Sequence, residues 1–550
     1  MKDRGIETIV LWVLAVVCGS TPAWTQIENT PHDLSAVAGG ATCSFCHTPH
    51  GALAGTPLWS HKLSTAVYRI YQSSSLEADV GQPTGSSKLC LSCHDGTVAL
   101  TESLTSGAAG STYITPGNAN LGTDLSDDHP ISFVYSSALS ARDPHIRPPA
   151  TLPDQLQLDR SGELQCTTCH DAHDNRFGDF LVMPNDRSRM CTSCHDLTGW
   201  IASSHESSNV PLAGVSDPYL QNSAHGTLAD AGCSTCHRPH AAGGNERLLH
   251  FARSEDNCLN CHDGSVARTN IRADLAKFSR HDVVQYEGIH DPRETPGAAP
   301  RHVECVDCHD PHAVQQGTTQ APLIQAVMQG VSGVTISGAS IQDAQFEYEV
   351  CFKCHADNPD RMEPAVTRQI TQTNVRLEFD VSGPSFHPVT AAGTNQQVPS
   401  LKPPMTVASQ IYCTDCHSAD STSLAKGPHG SVYPHLLAYR YEMSDFTQEN
   451  SASYELCYQC HSRNSILNDE SFPAHKEHLE DGIPCSACHD PHGVGVAQGT
   501  ALNNSHLINF DITIVQPDPD TGRLAFEDLG VLHGQCFLSC HGNKHSPRDY

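Results

Sequence analysis

The sequence predicts a chain that is mostly irregular coil, with short α-helices and a few small β-hairpins. It contains 40 glycines and 35 prolines among 550 residues, and few windows keep a helical period beyond two turns. Hydrophobic residues make up 38% and aromatic residues 6% of the chain, which is thin for this length. Such a chain cannot build a large core from side chains alone, so another source of apolar surface is expected.

Paired cysteines followed at once by histidine recur twelve times and use every cysteine except Cys18. Eleven pairs have the form C-x-x-C-H, whereas the twelfth, Cys536/Cys540/His541, has one extra residue between its cysteines. The eleven are Cys43/Cys46/His47, Cys90/Cys93/His94, Cys166/Cys169/His170, Cys191/Cys194/His195, Cys233/Cys236/His237, Cys258/Cys261/His262, Cys305/Cys308/His309, Cys351/Cys354/His355, Cys413/Cys416/His417, Cys457/Cys460/His461 and Cys485/Cys488/His489.

C-x-x-C-H is the attachment site of c-type haem, in which two thiols bond to the macrocycle and the adjacent imidazole ligates the iron. A zinc ribbon, a thioredoxin-like site or a disulfide framework would not place histidine directly after every pair. The sequence therefore predicts twelve haems c, and their stacked apolar plates replace much of a side-chain core. At the twelfth motif, a terminal disulfide or a site without haem are the alternatives.

The second axial ligand of each iron is expected to be histidine as well. Twenty-three histidines lie outside the motifs, against seven methionines in the whole chain, which favours bis-histidine ligation at nearly every haem. Five candidates follow a motif histidine after three residues, and each can reach a neighbouring haem. They are His50, His173, His240, His312 and His492.

A second group of candidate ligands lies upstream of motifs or beside glycine and proline. It comprises His32, His129, His225, His302, His387, His429, His478 and His533. His475 competes with His478, and His545 competes with His533. Eight other histidines have no assigned role, and a surface position is the ordinary expectation for them. These are His61, His145, His205, His250, His281, His290, His435 and His506.

The N-terminus has the features of an export signal, and residues 1–23 are interpreted as one. Lys2 and Arg4 precede a short apolar run, and small residues follow it. Lipid attachment at Cys18 is an alternative. Export fits the haem prediction and indicates a periplasmic, outer-membrane-associated or extracellular location. We divide the rest into haems 1–4 (24–215), haems 5–8 (216–400) and haems 9–12 (401–550), stacked as duplicated two-haem cassettes.

Local structure is expected to follow the motifs. The C-x-x-C spacing places both thiols on one face of a short helix. Three stretches between motifs have strand-like patterns, namely 326–341, 374–381 and a hairpin candidate in which 508–515 and 524–531 flank a turn-rich segment. The net charge of −29 argues against nucleic acid and against docking on anionic lipid, and no transmembrane span is expected in the mature chain.

The motif set resembles the large multihaem c-type cytochromes of metal-reducing and related anaerobic bacteria, in particular the doubled-C-x-x-C-H group of periplasmic and outer-membrane electron carriers. The residues that carry the resemblance are the C-x-x-C-H-x-P-H segments at 43–50, 305–312 and 485–492. The resemblance implies that the last histidine of each segment ligates an adjacent haem. The Cys413 motif departs from this pattern with Asp420, so its ligand must come from elsewhere, for example His429.

Two classes of function follow from these features. The first is an electron carrier, whose haems pass electrons to other cytochromes, an outer-membrane conduit or an extracellular acceptor, and which can also polymerise with copies of itself. The second is a reductase with one open haem that acts on a small oxyanion. Lysine in place of the motif histidine marks the active haem of multihaem nitrite reductases, and no C-x-x-C-K occurs here. The sequence favours the carrier, without enzyme activity.

Overall fold

Short elements joined by coil make up the chain, which confirms the predicted fold class. The computed structural model describes residues 27–38, 42–104, 112–284, 302–357, 364–420 and 425–550. The interpreted export signal, Cys18 and His290 lie outside these residues. The α-helices within them are Ser35–Ala38, Gly85–His94, Ser137–Arg142, Cys166–Cys169, Arg189–Cys194, Ser204–Ser207, Pro218–Gln221, Leu228–Ala231, Ser254–Leu259, Ile271–Leu275, Cys305–Cys308, Glu347–His355, Val375–Glu378, Arg463–Leu467 and His475–Glu480.

Single turns of 3-10 helix are almost as frequent as the α-helices. They are Thr42–Phe45, Pro149–Thr151, Asp186–Ser188, Trp200–Ala202, Gly232–Thr235, Glu246–Leu248, Ala326–Met328, Cys413–Asp415, Pro434–Leu436, Cys457–Gln459, Cys485–Ala487 and Ser505–Leu507. Five of them carry or begin a C-x-x-C-H motif. Their short length agrees with the many glycines and prolines of the sequence.

The C-x-x-C-H motifs fold as one helical turn. In nine of them the amide of the motif histidine donates to the carbonyl of the first cysteine four residues earlier, at 2.9–3.1 Å, as in the bond from His170 to Cys166. This bond closes the turn and puts both cysteines and the histidine on adjoining positions. The prediction that short helices carry these motifs is therefore confirmed for the C-x-x-C-H form.

The sheets are small. Five pairs of two-residue strands occur, namely Arg69–Ile70 with Asp124–Leu125, Phe133–Val134 with Glu163–Leu164, Ser279–Arg280 with Gly430–Ser431, Gly333–Val334 with Ser340–Ile341, and Ser385–Phe386 with Gly493–Val494. The first pair is parallel and the other four are antiparallel. A longer antiparallel sheet, here called the C-terminal sheet, consists of Ala525–Gly530, His533–Cys540 and Asn543–Asp549.

The strand predictions are right only in part. Within 326–341, two short strands do form a hairpin, but its first residues are a 3-10 turn. Residues 374–381 contain the helix Val375–Glu378 instead of a strand, because Asn374 caps the amide of Arg376 and starts a turn. Residues 524–531 do form a strand, but its partner is His533–Cys540, not 508–515.

The chain divides into two compact units, and each holds a run of consecutive motifs. One unit comprises residues 1–197 and 231–250, which contain motifs 1–5. The other comprises residues 198–230 and 251–550, which contain motifs 6–12. The division of the mature chain into three four-haem segments stays a prediction.

Side-chain cores are small and scattered along the chain. The largest lies beneath the C-terminal sheet and includes Phe510, Val515 and Phe526 together with Cys536 and Cys540. Most other clusters contain three to seven buried residues. Over the described residues, none of the helices combines the length and the apolar character that crossing a membrane requires.

Candidate functional site

Most motif histidines face a second histidine at a nearly constant distance. In nine such pairs the centroids of the two imidazole rings lie 6.0–6.3 Å apart. The pairs are His94 with His32, His47 with His173, His195 with His129, His170 with His240, His262 with His205, His355 with His281, His309 with His429, His417 with His492, and His489 with His475.

This distance is not set by contact between the rings. The interplanar angle ranges from 14° for His47 with His173 to 77° for His195 with His129, yet the separation hardly changes. Rings in direct contact come closer, as in the stack of His32 on Phe180 at 4.1 Å. Two imidazoles on opposite faces of one metal, with metal–nitrogen distances of about 2 Å, have centroids roughly 6 Å apart at any interplanar angle. The pairs therefore fit a haem iron between the rings.

Hydrogen bonds orient the motif histidines for such a role. Seven of them donate from Nδ1 to a backbone carbonyl at 2.6–2.9 Å, which leaves Nε2 for a metal. The bonds run from His47 to Pro57, His94 to Ala119, His170 to Asp179, His237 to Arg247, His309 to Val327, His417 to His435, and His489 to His506.

The second histidines are held in the same way, by carbonyls or by carboxylates. His205 donates from Nδ1 to the carbonyl of Pro311 at 2.8 Å, and His32 and His129 make similar bonds. Three histidines that follow a motif bind carboxylates instead, at 2.9–3.2 Å. These contacts are His173 with Asp171, His240 with Asp128, and His492 with Glu378.

Burial keeps these imidazoles neutral, which is the form that binds a metal. It lowers the pKa of His262, His417, His461 and His489 to about 4 in each case. At His492 the neighbouring Glu378 carboxylate outweighs burial and raises the pKa. Glu378, Asp490 and His492 also form the one group among the described residues that could hold a separate metal ion. Arg368 lies 3.6 Å from Asp490, and His492 uses Nδ1 for Glu378, so this trio supports the histidine instead.

Histidines three residues after a motif follow a regular rule in the described structure. His173, which follows the third motif, faces His47 of the first. The same step of two motifs joins His240 to His170, and it joins His492 to His417. The chain therefore brings each of these histidines back over the motif before last.

Cysteines of consecutive motifs meet in space. The first cysteines of five neighbouring motif pairs have side chains in hydrogen-bonding contact, as for Cys90 and Cys166. The other four contacts are Cys191 with Cys233, Cys258 with Cys305, Cys351 with Cys413, and Cys457 with Cys485.

The remaining neighbours within each unit approach through a second cysteine. Their charges interact for Cys46 with Cys93, Cys169 with Cys194, Cys308 with Cys351, Cys416 with Cys457, and Cys488 with Cys540. Together with the first-cysteine contacts, these give an unbroken series from motif 1 to motif 5 in one unit. A second unbroken series runs from motif 6 to motif 12 in the other unit. Order along the sequence is thus order in space inside each unit.

Two second cysteines, Cys236 and Cys354, differ from the prediction, which treats both thiols of every motif alike. Cys354 is exposed to solvent near the end of its helix. Cys236 is half-buried, and its backbone carbonyl accepts from the amide of His250 at 3.0 Å. In these two motifs the series of contacts passes through the first cysteines, Cys233 and Cys351. Haem attachment at Cys236 and Cys354 is therefore not confirmed by the series and stays a prediction.

Some predicted ligands have a different environment. Within the described residues, His50, His225 and His533 have no ring contact with a motif histidine. His312 packs against Trp200 and contacts Asp310. His387 lies close enough to His461 to lower its pKa. The roles of His302 and His312 as ligands stay predictions.

Three histidines that face motif histidines have no assigned role or an open one in the sequence. His205 and His281 lie in segments with no motif-like spacing, so no sequence signal separates them from surface histidines. His475 does have a signal, because it lies one helical turn before His478 on the helix His475–Glu480.

The twelfth motif differs from the others, because Cys536 and Cys540 lie on a strand of the C-terminal sheet. His541 follows the strand and places Nε2 2.8 Å from Asp445. His478, predicted as a second ligand, faces His545 at 6.2 Å.

Two family models match parts of the chain. Residues 336–500 match the outer membrane cytochrome MtrC/MtrF-like domains II/IV, and this segment contains motifs 8–11. Residues 160–199 and 225–267 match the doubled CXXCH motif and contain motifs 3–6. A search of curated proteins finds no match.

Proposed function

Because the chain is a multihaem c-type cytochrome related to the electron carriers of metal-reducing bacteria, we propose that it carries electrons along a line of twelve mainly bis-histidine haems. The observation that supports this most strongly is the set of nine histidine pairs at 6.0–6.3 Å. Haem, when bound, supplies reversible one-electron chemistry. The protein holds each macrocycle by two cysteines and caps the iron on both faces.

The ligand assignments in this proposal follow the ring contacts and the sequence. The motif histidines supply one face and His32, His129, His173, His205, His240, His281, His429, His475 and His492 supply the other in nine sites. His387 is proposed for the iron of His461 because the two lie close together. For His237 the candidate ligands remain His302 and His312 from the sequence.

A linear path is supported by the cysteine contacts. Since each motif's cysteines meet those of the next within a unit, macrocycles bound to them would be near neighbours. Imidazoles on both faces close the iron to substrates, which favours conduction over catalysis at those sites. A reductase function would need one iron with an open face.

The location and partners are proposed from the family match and from the charge. The match to an outer membrane cytochrome supports export and an outer-membrane-associated or extracellular position. The partners would then be other redox proteins, an outer-membrane conduit or an extracellular acceptor. A formal charge of −29 would favour partners with basic docking surfaces. Assembly into a homopolymer stays an alternative.

Current through a film of the purified holoprotein between two electrodes tests the proposal. His429→Ala removes the proposed cap of an internal haem but leaves every cysteine and motif histidine intact. We expect the current to fall about tenfold or more, which equals an added barrier of about 1.4 kcal/mol. His145→Ala, which changes an exposed histidine, is the control and should conduct as the natural protein does. Equal currents in all three proteins would contradict a serial path.

A further inference from the structure

The C-terminal sheet buries one histidine beside the last two cysteines. Cys536 and Cys540 are both buried, and Leu538 lies between them on the same face of the strand. His545 on the next strand pairs with Leu538, so its side chain shares that face, midway between the two cysteines. It is 3% exposed, whereas the other residues of Asn543–Asp549 are exposed to solvent. A single buried histidine on an otherwise exposed strand indicates a specific role.

His545 faces a second histidine with the geometry of the nine motif pairs. Its ring centroid lies 6.2 Å from that of His478, with an interplanar angle of 29°. The Nδ1 of His545 bonds the hydroxyl of Tyr550 at 2.5 Å, and the Nδ1 of His478 donates to the carbonyl of Ala474 at 2.8 Å. Both Nε2 atoms are therefore left to ligate a metal between the rings.

His541, the histidine next to Cys540, has a different environment. It is the first residue of a two-residue hairpin turn with Gly542, and both have positive φ, 47° and 80°. Its ring stacks directly on Phe446 at 4.4 Å, which is too close to admit an iron between them. Its Nε2 lies 2.8 Å from the carboxylate of Asp445, so the nitrogen that the other motif histidines leave for iron is already bonded.

We infer that the iron of the twelfth haem is ligated by His478 and His545, and that His541 is a turn residue rather than an axial ligand. This inference rests on the proposed function, because it takes a haem bound at Cys536 and Cys540 as given. It separates the attachment cysteines from the proximal histidine, which now comes from the neighbouring strand five residues after Cys540. The extra residue between Cys536 and Cys540 accompanies this change from a helical turn to a strand.

The helix His475–Glu480 then serves two irons. His475 faces His489 of the eleventh motif, and His478 faces His545, three residues further along the same helix. The charges of Cys488 and Cys540 also interact, which places the last two attachment sites side by side. One helix would therefore fix the spacing of the last two haems.

Counting high-spin haems in single variants of the holoprotein tests the inference. We expect His545→Ala and His478→Ala each to convert one haem per chain from low to high spin in the electron paramagnetic resonance spectrum, with an unchanged number of attached haems by intact mass. The double variant should also show one high-spin haem, because both residues serve the same iron. His475→Ala combined with His545→Ala should show two, since these residues serve different irons. His541→Ala should keep every haem low-spin and attached.

The outcomes separate this inference from the proposed function. Low-spin haems throughout in His545→Ala overturn the inference, as does loss of a haem or of its low-spin state in His541→Ala. Two high-spin haems in the His478→Ala/His545→Ala double variant overturn it as well. A natural protein whose mass shows no covalent haem, or whose haems are mostly high-spin, overturns the proposed function itself. If a variant is recovered unfolded, rapid carbon monoxide binding by the reduced conservative variant His545→Met replaces the spin count, and no binding at any haem counts against the inference.

Discussion

The carboxylate of Glu378 should lower the reduction potential of the haem that His492 caps. Its Oε2 lies 3.0 Å from Nδ1 of His492, and its side chain is only 10% exposed. Asp490 nearby is balanced by Arg368 at 3.6 Å, so Glu378 carries the uncompensated charge. Glu378→Gln removes this charge and keeps an oxygen that can accept the same hydrogen bond. A negative charge favours the oxidised iron, so its removal should raise the potential.

The size of this shift follows from the geometry. An iron bound to Nε2 of His492 would lie roughly 7 Å from the Glu378 carboxylate, given a metal–nitrogen distance of about 2 Å. At an effective dielectric constant of about 20, a unit charge at that distance contributes about 2.4 kcal/mol. For a one-electron couple this is about 100 mV. Burial raises the pKa of Glu378, so the titration belongs at pH 8, where the carboxylate is ionised.

A spectroelectrochemical titration of the holoprotein measures this shift. In Glu378→Gln, one-twelfth of the haem absorbance should move to higher potential and the remainder should stay. Asp380→Asn is the matched control, because it removes the same charge two residues away from a carboxylate that bonds only its local Ser382. The control should move by a several-fold smaller amount, since solvent screens its charge. A shift to lower potential, no shift, or an equal shift in the control would refute the reasoning.

Three further predictions follow from the described contacts. His205→Ala and His281→Ala should each produce one high-spin haem per chain, because these residues face His262 and His355, whereas exposed His145→Ala should produce none; electron paramagnetic resonance distinguishes them. Arg368→Ala should destabilise the holoprotein by about 3 kcal/mol, since buried Arg368 donates to the carbonyls of Ser486, Asn509 and His489; thermal unfolding, with surface Arg548→Ala as the control, measures this, and equal melting temperatures would disprove it. Chain produced without haem attachment should lack stable structure by circular dichroism, because the cores are small; a cooperative unfolding transition would contradict this.

Local chemistry made the fold class and the motif positions predictable from the sequence. C-x-x-C-H spacing specifies one helical turn, and the many glycines and prolines limit everything between the motifs to short elements. The helix at Val375–Glu378 was mistaken for a strand because its alternation of residues is a weak signal over so few positions. The cap by Asn374 was the better signal.

The pairing of histidines could be anticipated only where a short segment sets the reach of the side chain. His173, His240 and His492 follow a motif by a fixed step, so their approach to another motif was expected, although the step of two motifs was not. His205 and His281 reach their partners through tertiary structure, which no local spacing encodes. At the twelfth motif the adjacency rule pointed to His541, yet the strand pairing puts His545 beside the cysteines. Residue order along one strand does not reveal which neighbour the sheet brings alongside.

A count of low-spin haems per chain tests the central claim most directly. Intact mass of the exported protein gives the number of covalent haems, and electron paramagnetic resonance of the oxidised protein gives the fraction that is low-spin. We expect twelve attached haems, nearly all of them low-spin with two histidine ligands. A mass equal to that of the bare polypeptide, or a majority of high-spin haems, would contradict the account.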